Sequence, residues 1–440
     1  MNAALSKRVA DEYAAVRESL PASVVSPERR HEAIAALAAG GLPSTREENW
    51  RYTNLRPLER ARFAPILAAA TGPEPPARLQ GFARYTFVDG AFVPELSSPE
   101  EQAALTVRSL QRAAQGVGSA TVFQLPRALP ALSTLPEARL ALLNEAFATD
   151  TAAIHVSSAP AEPVRVELVF IAVGGADTGT SYPRVQVSLD PASRLILVER
   201  HISAGDGSPF INSSVNVDVG RGAHLTHYRL QQTSTRATWL DTLSAVLAAD
   251  AHYGVLAVNT GGLSARSTTH VRMAGPGAEL ALSVAAMGDR QQVQDNFALV
   301  EHIAPRTRTE QTFRGIAAGR ARVAFNGKIV VREGGSGTDS RQSLRGLLAG
   351  PEAEIDVRPQ LEIYTDDVRC SHGATAGKLD DDMLFYLLSR GLSPEVAQRL
   401  LKWAFLEDVV SKIEIPDLRR HIERDLAGQM AEAASLKELL

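Results

Sequence analysis

Cysteine is almost missing from this chain: Cys370 is the single one in 440 residues. An internal disulfide framework is therefore excluded, and the usage fits a reducing compartment. Charge of one sign is also missing. The formal net charge is −4, so no global positive field recruits nucleic acid or an anionic membrane. No apolar run approaches the ~20 residues that a membrane span needs. The first residues, Met1-Asn-Ala-Ala-Leu-Ser-Lys-Arg-Val-Ala-Asp-Glu12, lack the apolar centre of a signal peptide. The expectation is a soluble, cytoplasmic protein of about three domains.

Nucleotide and hydrolase motifs are missing as well. The nearest string to a phosphate loop, Gly373-Ala-Thr-Ala-Gly-Lys-Leu379, is one residue short and lacks the hydroxyl that would reach Mg²⁺. Gly334-Gly-Ser-Gly337 has no lysine in place, and His31-Glu32 has no second histidine four positions on. No Gly-x-Ser-x-Gly elbow occurs. If ATP drives anything here, another subunit binds it.

What is present changes grammar twice. Leu5 to Leu20 and Pro27 to Ala39 read as helices, the second with Pro27 in its first turn and Gly40-Gly41 as its stop. Ser44 or Thr45 with Glu47 or Glu48 forms a capping-box start, and Trp50 and Tyr52 are read as closing a small helical domain. Pro73-Glu-Pro-Pro76 reads as a stiff linker, Tyr85 to Val93 as a hairpin around Asp89-Gly90, and Leu140 to Phe147 as a helix.

From about Ile154 to Arg369, helical periodicity gives way to short alternating or apolar runs such as Val164 to Ile171, Val215 to Val219 and Ile329 to Val331. An alanine-polar-apolar string recurs at Ala223, Ala251, Ala278, Ala321 and Ala353, with one longer interval after Ala278. A small residue before a strand, roughly every thirty residues, suits the tight corner of a stacked coil. A parallel β-helix is favoured, though a jelly roll also yields short strands. Past Gly373 helices return. Asp380 caps Asp381 to Arg390 with Gly391 as stop, Ser393-Pro394 opens a second helix, and an alanine-rich amphipathic tail runs to Leu440. These helices carry an apolar face too wide to hide alone, so they must dock on the β-domain or on another protein.

Cys370 and His372 sit at that last change. In extended chain, residues two apart face the same side, so thiol and imidazole can converge on one ligand such as zinc or iron. A bland alternative is a partly buried structural cysteine beside a hydrogen-bonded histidine. A cluster needs about four protein ligands, so one built here requires a second chain. His224 and His227, three apart in a strand, face opposite sides and read as ordinary surface or core residues.

Five strings carry a family resemblance: Leu361-Glu-Ile-Tyr-Thr-Asp-Asp-Val-Arg-Cys-Ser-His-Gly-Ala-Thr375, Leu384-Phe-Tyr-Leu-Leu-Ser-Arg-Gly391, Glu47-Glu-Asn-Trp-Arg-Tyr-Thr53, Glu301-His-Ile-Ala-Pro305 and Phe325-Asn-Gly-Lys-Ile329. With them the chain resembles the SufB/SufD scaffold family of the SUF iron–sulfur cluster assembly system, and its Cys-Ser-His-Gly-Ala-Thr string is that of the SufD branch. The resemblance implies a mainly β protein, a right-handed parallel β-helix flanked by N-terminal and C-terminal α-helical domains. The corresponding boundaries are 1–72 (helical), 73–150 (linker with hairpin and helix), 151–373 (β-helix) and 374–440 (helical).

It also implies a non-catalytic scaffold that pairs with a SufB-like chain through the end of the β-helix. A SufC-like ABC-type ATPase would dock on the C-terminal helices, from about Asp380 to Ile413, where Phe385, Tyr386, Arg390, Leu401 and Phe405 are the inferred contacts. Cys370 and His372 match the family's assembly site and are the candidate metal ligands, shared with SufB. No cofactor is expected to stay on the chain alone; iron or an iron–sulfur cluster would pass through the complex. A homodimer is expected when the chain is isolated. The chain departs from the family pattern at Glu333-Gly-Gly-Ser-Gly337 and at Arg345-Gly-Leu-Leu-Ala349. Two other readings stand beside this one. A polysaccharide-acting β-helix enzyme would need a repeated acidic or aromatic stripe, which the strands do not offer. A purely structural subunit would carry an inert Cys370.

Overall fold

The computed structural model describes residues 2–67, 74–100, 102, 104–113, 135–157, 160, 162–174 and 178–430. The alanine-rich tail beyond Met430 and part of the Pro73–Pro76 linker lie outside these residues. Two sheets run side by side, and the chain alternates between them strand by strand. One sheet takes Val164–Ala172, Arg194–Ser203, His224–Gln232, His252–Asn259, Glu279–Gly288, Arg308–Ala317, Thr338–Leu348 and Val368–Gly377. The other takes Ala152–Val156, Arg184–Leu189, Phe210–Val219, Thr238–Leu247, Ser264–Met273, Val293–His302, Arg322–Val331 and Glu354–Ile363. Every pairing between these strands is parallel. The result is a solenoid of about seven turns.

Its corners explain the recurring alanine. Ala223, Ala251 and Ala278 precede strands of the first sheet, whereas Ala321 and Ala353 precede strands of the second. The long interval after Ala278 is therefore a turn and a half, where the repeat moves to the opposite corner. The first four are fully buried, leaving no volume for a longer side chain.

Inward side chains stack in columns. Most are aliphatic, and each gains about 1.5–3 kcal/mol on leaving water. One interior cluster is charged: Arg229 donates to Asp241 at 2.7 and 2.9 Å and to Glu199 at 2.8 Å, while His227 contacts Glu199 at 3.1 Å. Burial opposes charge on Glu199, but Arg229 overcomes it and holds the carboxyl well below its usual range. His227 is thus core, whereas His224 stacks on His252 at the surface, their ring centroids 4.3 Å apart.

The solenoid's outer faces carry the helices. Asn2–Val16 and Pro27–Gly40 belong to the N-terminal part, with the Ser26 side chain accepting from the Arg29 N–H. The Ser44 N–H donates to the Glu47 carboxylate at 2.8 Å, but this contact opens only a single 3-10 turn, Glu48–Trp50, and no longer helix. Here tertiary packing decides. Trp50 is buried with the Arg266 guanidinium 4.5 Å from its ring, Asn49 meets Asn326, Glu48 pairs with Arg358, and Thr53 donates to Asp295. Tyr52 instead lies under Arg51. Asp89 and Gly90, both with positive φ (48° and 90°), turn the Ala83–Val88/Ala91–Phe92 hairpin at the solenoid's beginning. Pro394–Val410 and Pro416–Gln429 pack Leu406, Val409, Val410, Leu418 and Ile422 against Tyr228, Leu256 and Ile316 of the first sheet.

Glu301-His-Ile-Ala-Pro305 has a structural job. Glu301 binds His270 at 2.8 Å and Arg332, which lower its carboxyl to about 2. His302 points into the corner between Thr307 at 2.7 Å and Thr309 at 3.1 Å. Burial lowers its imidazole from 6.5 to about 4. The unfolded chain binds that proton as pH falls through 6.5 and the folded chain does not, so stability is full above this value and declines toward pH 4. Replacing His302 with Gln, which removes the titrating ring and keeps an amide near the Nε2 position, should flatten the pH dependence of urea-denaturation stability by about 2 kcal/mol between about pH 7 and pH 5.

Candidate functional site

The strand edges of the last coil are left uncovered by the described residues. Val368–Gly377 pairs on one side only, with Thr338–Leu348, and Glu354–Ile363 on one side only, with Arg322–Val331, among the described residues. Two ten-residue strand edges are thus left open side by side, an arrangement that invites pairing with another chain. The inward positions of this coil are correspondingly half covered. Ile355, Val357 and Leu361 from one strand, with Val368 and Cys370 from the other, pack partly against the core. Ile363 and Tyr364 are exposed.

Cys370 and His372 come from this strand and face the same inward side. Cys370 stands in register with buried Ser340, and His372 with buried Gln342. Cys370 is half-buried, while His372 is exposed at the open end. Burial pushes the thiol pKa up, and the Asp339 carboxylate adds to the rise; a Ser340 backbone hydrogen bond opposes both only weakly. The free chain therefore holds a thiol rather than a thiolate. A metal or sulfur ligand formed here must displace that proton.

The inferred ATPase contacts fall in two places. Asp380 caps the helix Asp381–Ser389, accepting from the Met383 N–H at 3.0 Å, with Asp381 and Asp382 in the first turn. This helix buries no residue: Phe385 is 72% exposed and Tyr386 55%, with Arg390 lying 5.1 Å from the Tyr386 ring. Leu401 and Phe405 are elsewhere. On Pro394–Val410, they line an open groove of about 360 Å³ with Leu347, Lys378, Asp380 and Met383, between that helix, the start of Asp381–Ser389 and the end of the first sheet.

Two stretches that depart from the family pattern take up tight positions. Gly337 has φ 76°, and its N–H donates to Asp367 at 2.7 Å, joining the last two corners. At Gly346 an added Cβ would lie 2.1 Å from Ile355, so glycine admits that side chain into the closing coil. A polar stripe under the site, Gln311 and Gln342, has no motif of its own. Alternation marks these residues as facing one side, but not which side.

Comparison with known proteins bears on the same coil. A family model described as the SUF system FeS cluster assembly, SufBD core domain, matches residues 170–405. The iron–sulfur cluster assembly protein SufD of Escherichia coli is 30% identical, over 88% of this chain and 89% of that protein. A SufBD family protein of Synechocystis is 27% identical, over 90% of this chain and 89% of its own length. One from Mycobacterium leprae is 29% identical over 58% of this chain and 66% of its own.

The Cys370 environment gives a direct expectation. Alkylation of the free chain by iodoacetamide near pH 8 should be slower than that of an unhindered cysteine. Asp339→Asn should speed it by removing one of the two causes of the raised pKa. Equal rates in both proteins would show that Asp339 does not act on the thiol.

Proposed function

The chain belongs to the SufB/SufD family of iron–sulfur cluster assembly proteins, and from that premise we propose that it is a non-catalytic scaffold subunit of a cytoplasmic SUF complex. A SufB-like chain pairs with the two open strand edges of the last coil. A SufC-like ATPase docks on the C-terminal helices through Phe385, Tyr386, Arg390, Leu401 and Phe405. Cys370 and His372 supply half of a ligand set for iron or a nascent cluster, which is cargo and leaves with its recipient. The coil is right-handed, the hand strongly favoured for connections between parallel strands. The domains divide at residues 72, 150 and 373, and isolated chains pair with themselves through the same open edges.

One observation carries this reading: the Cys-x-His pair lies on the inward face of the single coil whose edges are unpaired among the described residues. Two ligands are too few for a cluster, which needs about four, and a second coil laid against the first would bring others to the same face. Covering the end also buries Ile355, Val357 and Leu361. The raised thiol pKa gives the alternative of an inert Cys370 its specific support. In the scaffold reading, that proton is lost only when a cationic or electrophilic ligand arrives.

Co-expression with SufB-like and SufC-like partners, followed by iron and sulfide analysis of the purified complex, tests the site. Cys370→Ser and His372→Ala should each lower cluster yield severalfold at unchanged complex mass. Unchanged yield in both would remove the site role and leave the scaffold role standing. Leu361→Lys with Ala374→Lys, which puts two charges on the open inward face, should abolish co-purification of the scaffold partner. Retention would overturn pairing through this end.

A further inference from the structure

Beneath His372 the inward column changes character. From the solenoid's middle outward it runs Val255, Leu282, Gln311, Gln342 and then His372, each in register with the next. Two glutamines in a core column cost desolvation unless their amides are used. Gln342 is 4% exposed. Its Nε2 donates to Gln311 Oε1 at 2.8 Å and to the Gly327 carbonyl at 3.0 Å. A carbonyl can only accept, so the Gly327 contact fixes which end of the amide is nitrogen. Glycine is required opposite: a Cβ at position 327 would lie 2.8 Å from both Gln311 Oε1 and Gln342 Nε2.

The other end of the amide is left over. Gln342 Oε1 is buried and accepts no hydrogen bond from any described residue. An orphan buried acceptor is costly to leave unpaired, and the next side chain in its column carries an N–H donor. We propose that Gln342 is a positioning residue for His372: its Oε1 accepts one imidazole N–H, fixing the tautomer and turning the other ring nitrogen outward toward cargo. The bond forms when a partner covers the open end and excludes the water that competes for the ring. This rests on reading Cys370 and His372 as the assembly site. The logic is that of metal-binding histidines, whose second nitrogen is held by a carbonyl or carboxylate.

The test uses the full-length chain, ring-¹⁵N-labelled at histidine and bound to its scaffold partner, with His372 signals assigned by His372→Ala. The wild type should show one neutral tautomer. Gln342→Met, which keeps the volume and loses the acceptor, should show a tautomer mixture and about tenfold weaker cluster retention against a chelator. Gln342→Glu keeps an acceptor: as the neutral acid its O–H donates to the Gly327 carbonyl in place of Nε2, Gln311 Nε2, itself buried without an acceptor, turns to donate to it, and its other oxygen still faces His372. This variant should keep the single tautomer. Ring signals in Gln342→Met identical to wild type would overturn the proposal, even if thermal stability fell, because packing alone would then explain the residue. Cluster yield in His372→Ala judges the site reading separately and does not enter the tautomer result.

Discussion

In a solenoid of parallel strands, each coil's inward side chains are buried by the opposite sheet and by the coils above and below. This one constraint orders the molecule. It demands small residues where the chain turns, hence buried Ala223, Ala251, Ala278 and Ala321. It requires polar residues in a column to find partners there, as Arg229 does with Glu199 and Asp241. The two ends are treated differently. At the beginning, the antiparallel strands Ala91–Phe92 and Leu105–Ser109 lie at the sheet edges. At the far end, ten-residue edges are open among the described residues, and the inward row ends at exposed His372.

The proposed chemistry follows from that asymmetry. An inward side chain in the middle of the solenoid is core; the same position in the last coil is a surface that another chain can turn back into core. Cys370 is caught between these conditions, half-buried with a raised pKa. The C-terminal helices show a related division. Pro394–Val410 is anchored by Leu406, Val409 and Val410, whereas Asp381–Ser389 buries none of its residues. One helix is fixed to the sheet, and the other offers its aromatic face to whatever binds.

Much of this was legible in the sequence because local rules and tertiary structure agree. The Asp89-Gly90 turn, the Asp380 and Ser393 caps and the shared side of Cys370 and His372 follow from turn chemistry, capping and strand alternation. Where packing overrides local preference, legibility fails. The Ser44–Glu47 contact forms, yet the chain makes one turn because Trp50 and Thr53 are drawn onto Arg266 and Asp295. The alanine spacing looked ragged because the repeat moves between two corners, which only the alternation of sheets reveals. Gln311 and Gln342 stayed hidden for another reason: alternation does not say which side a glutamine faces, and the inward pairing depends on the absent side chain of Gly327.

The pairing of Glu48 with Arg358 joins positions 310 residues apart, between the N-terminal segment and the edge strand of the last coil. Closing so long a loop is entropically costly, and the docking of Trp50, Thr53 and Asn49 on Arg266, Asp295 and Asn326 offsets most of that cost before Arg358 is reached. During synthesis the Glu47–Thr53 segment emerges early but gains its last contact only after residue 358 has been made and coiled. A truncated or miscoiled chain would therefore lose that contact at the opposite end of the sequence. The N-terminal segment thus completes its set of contacts only once the final coil is in place.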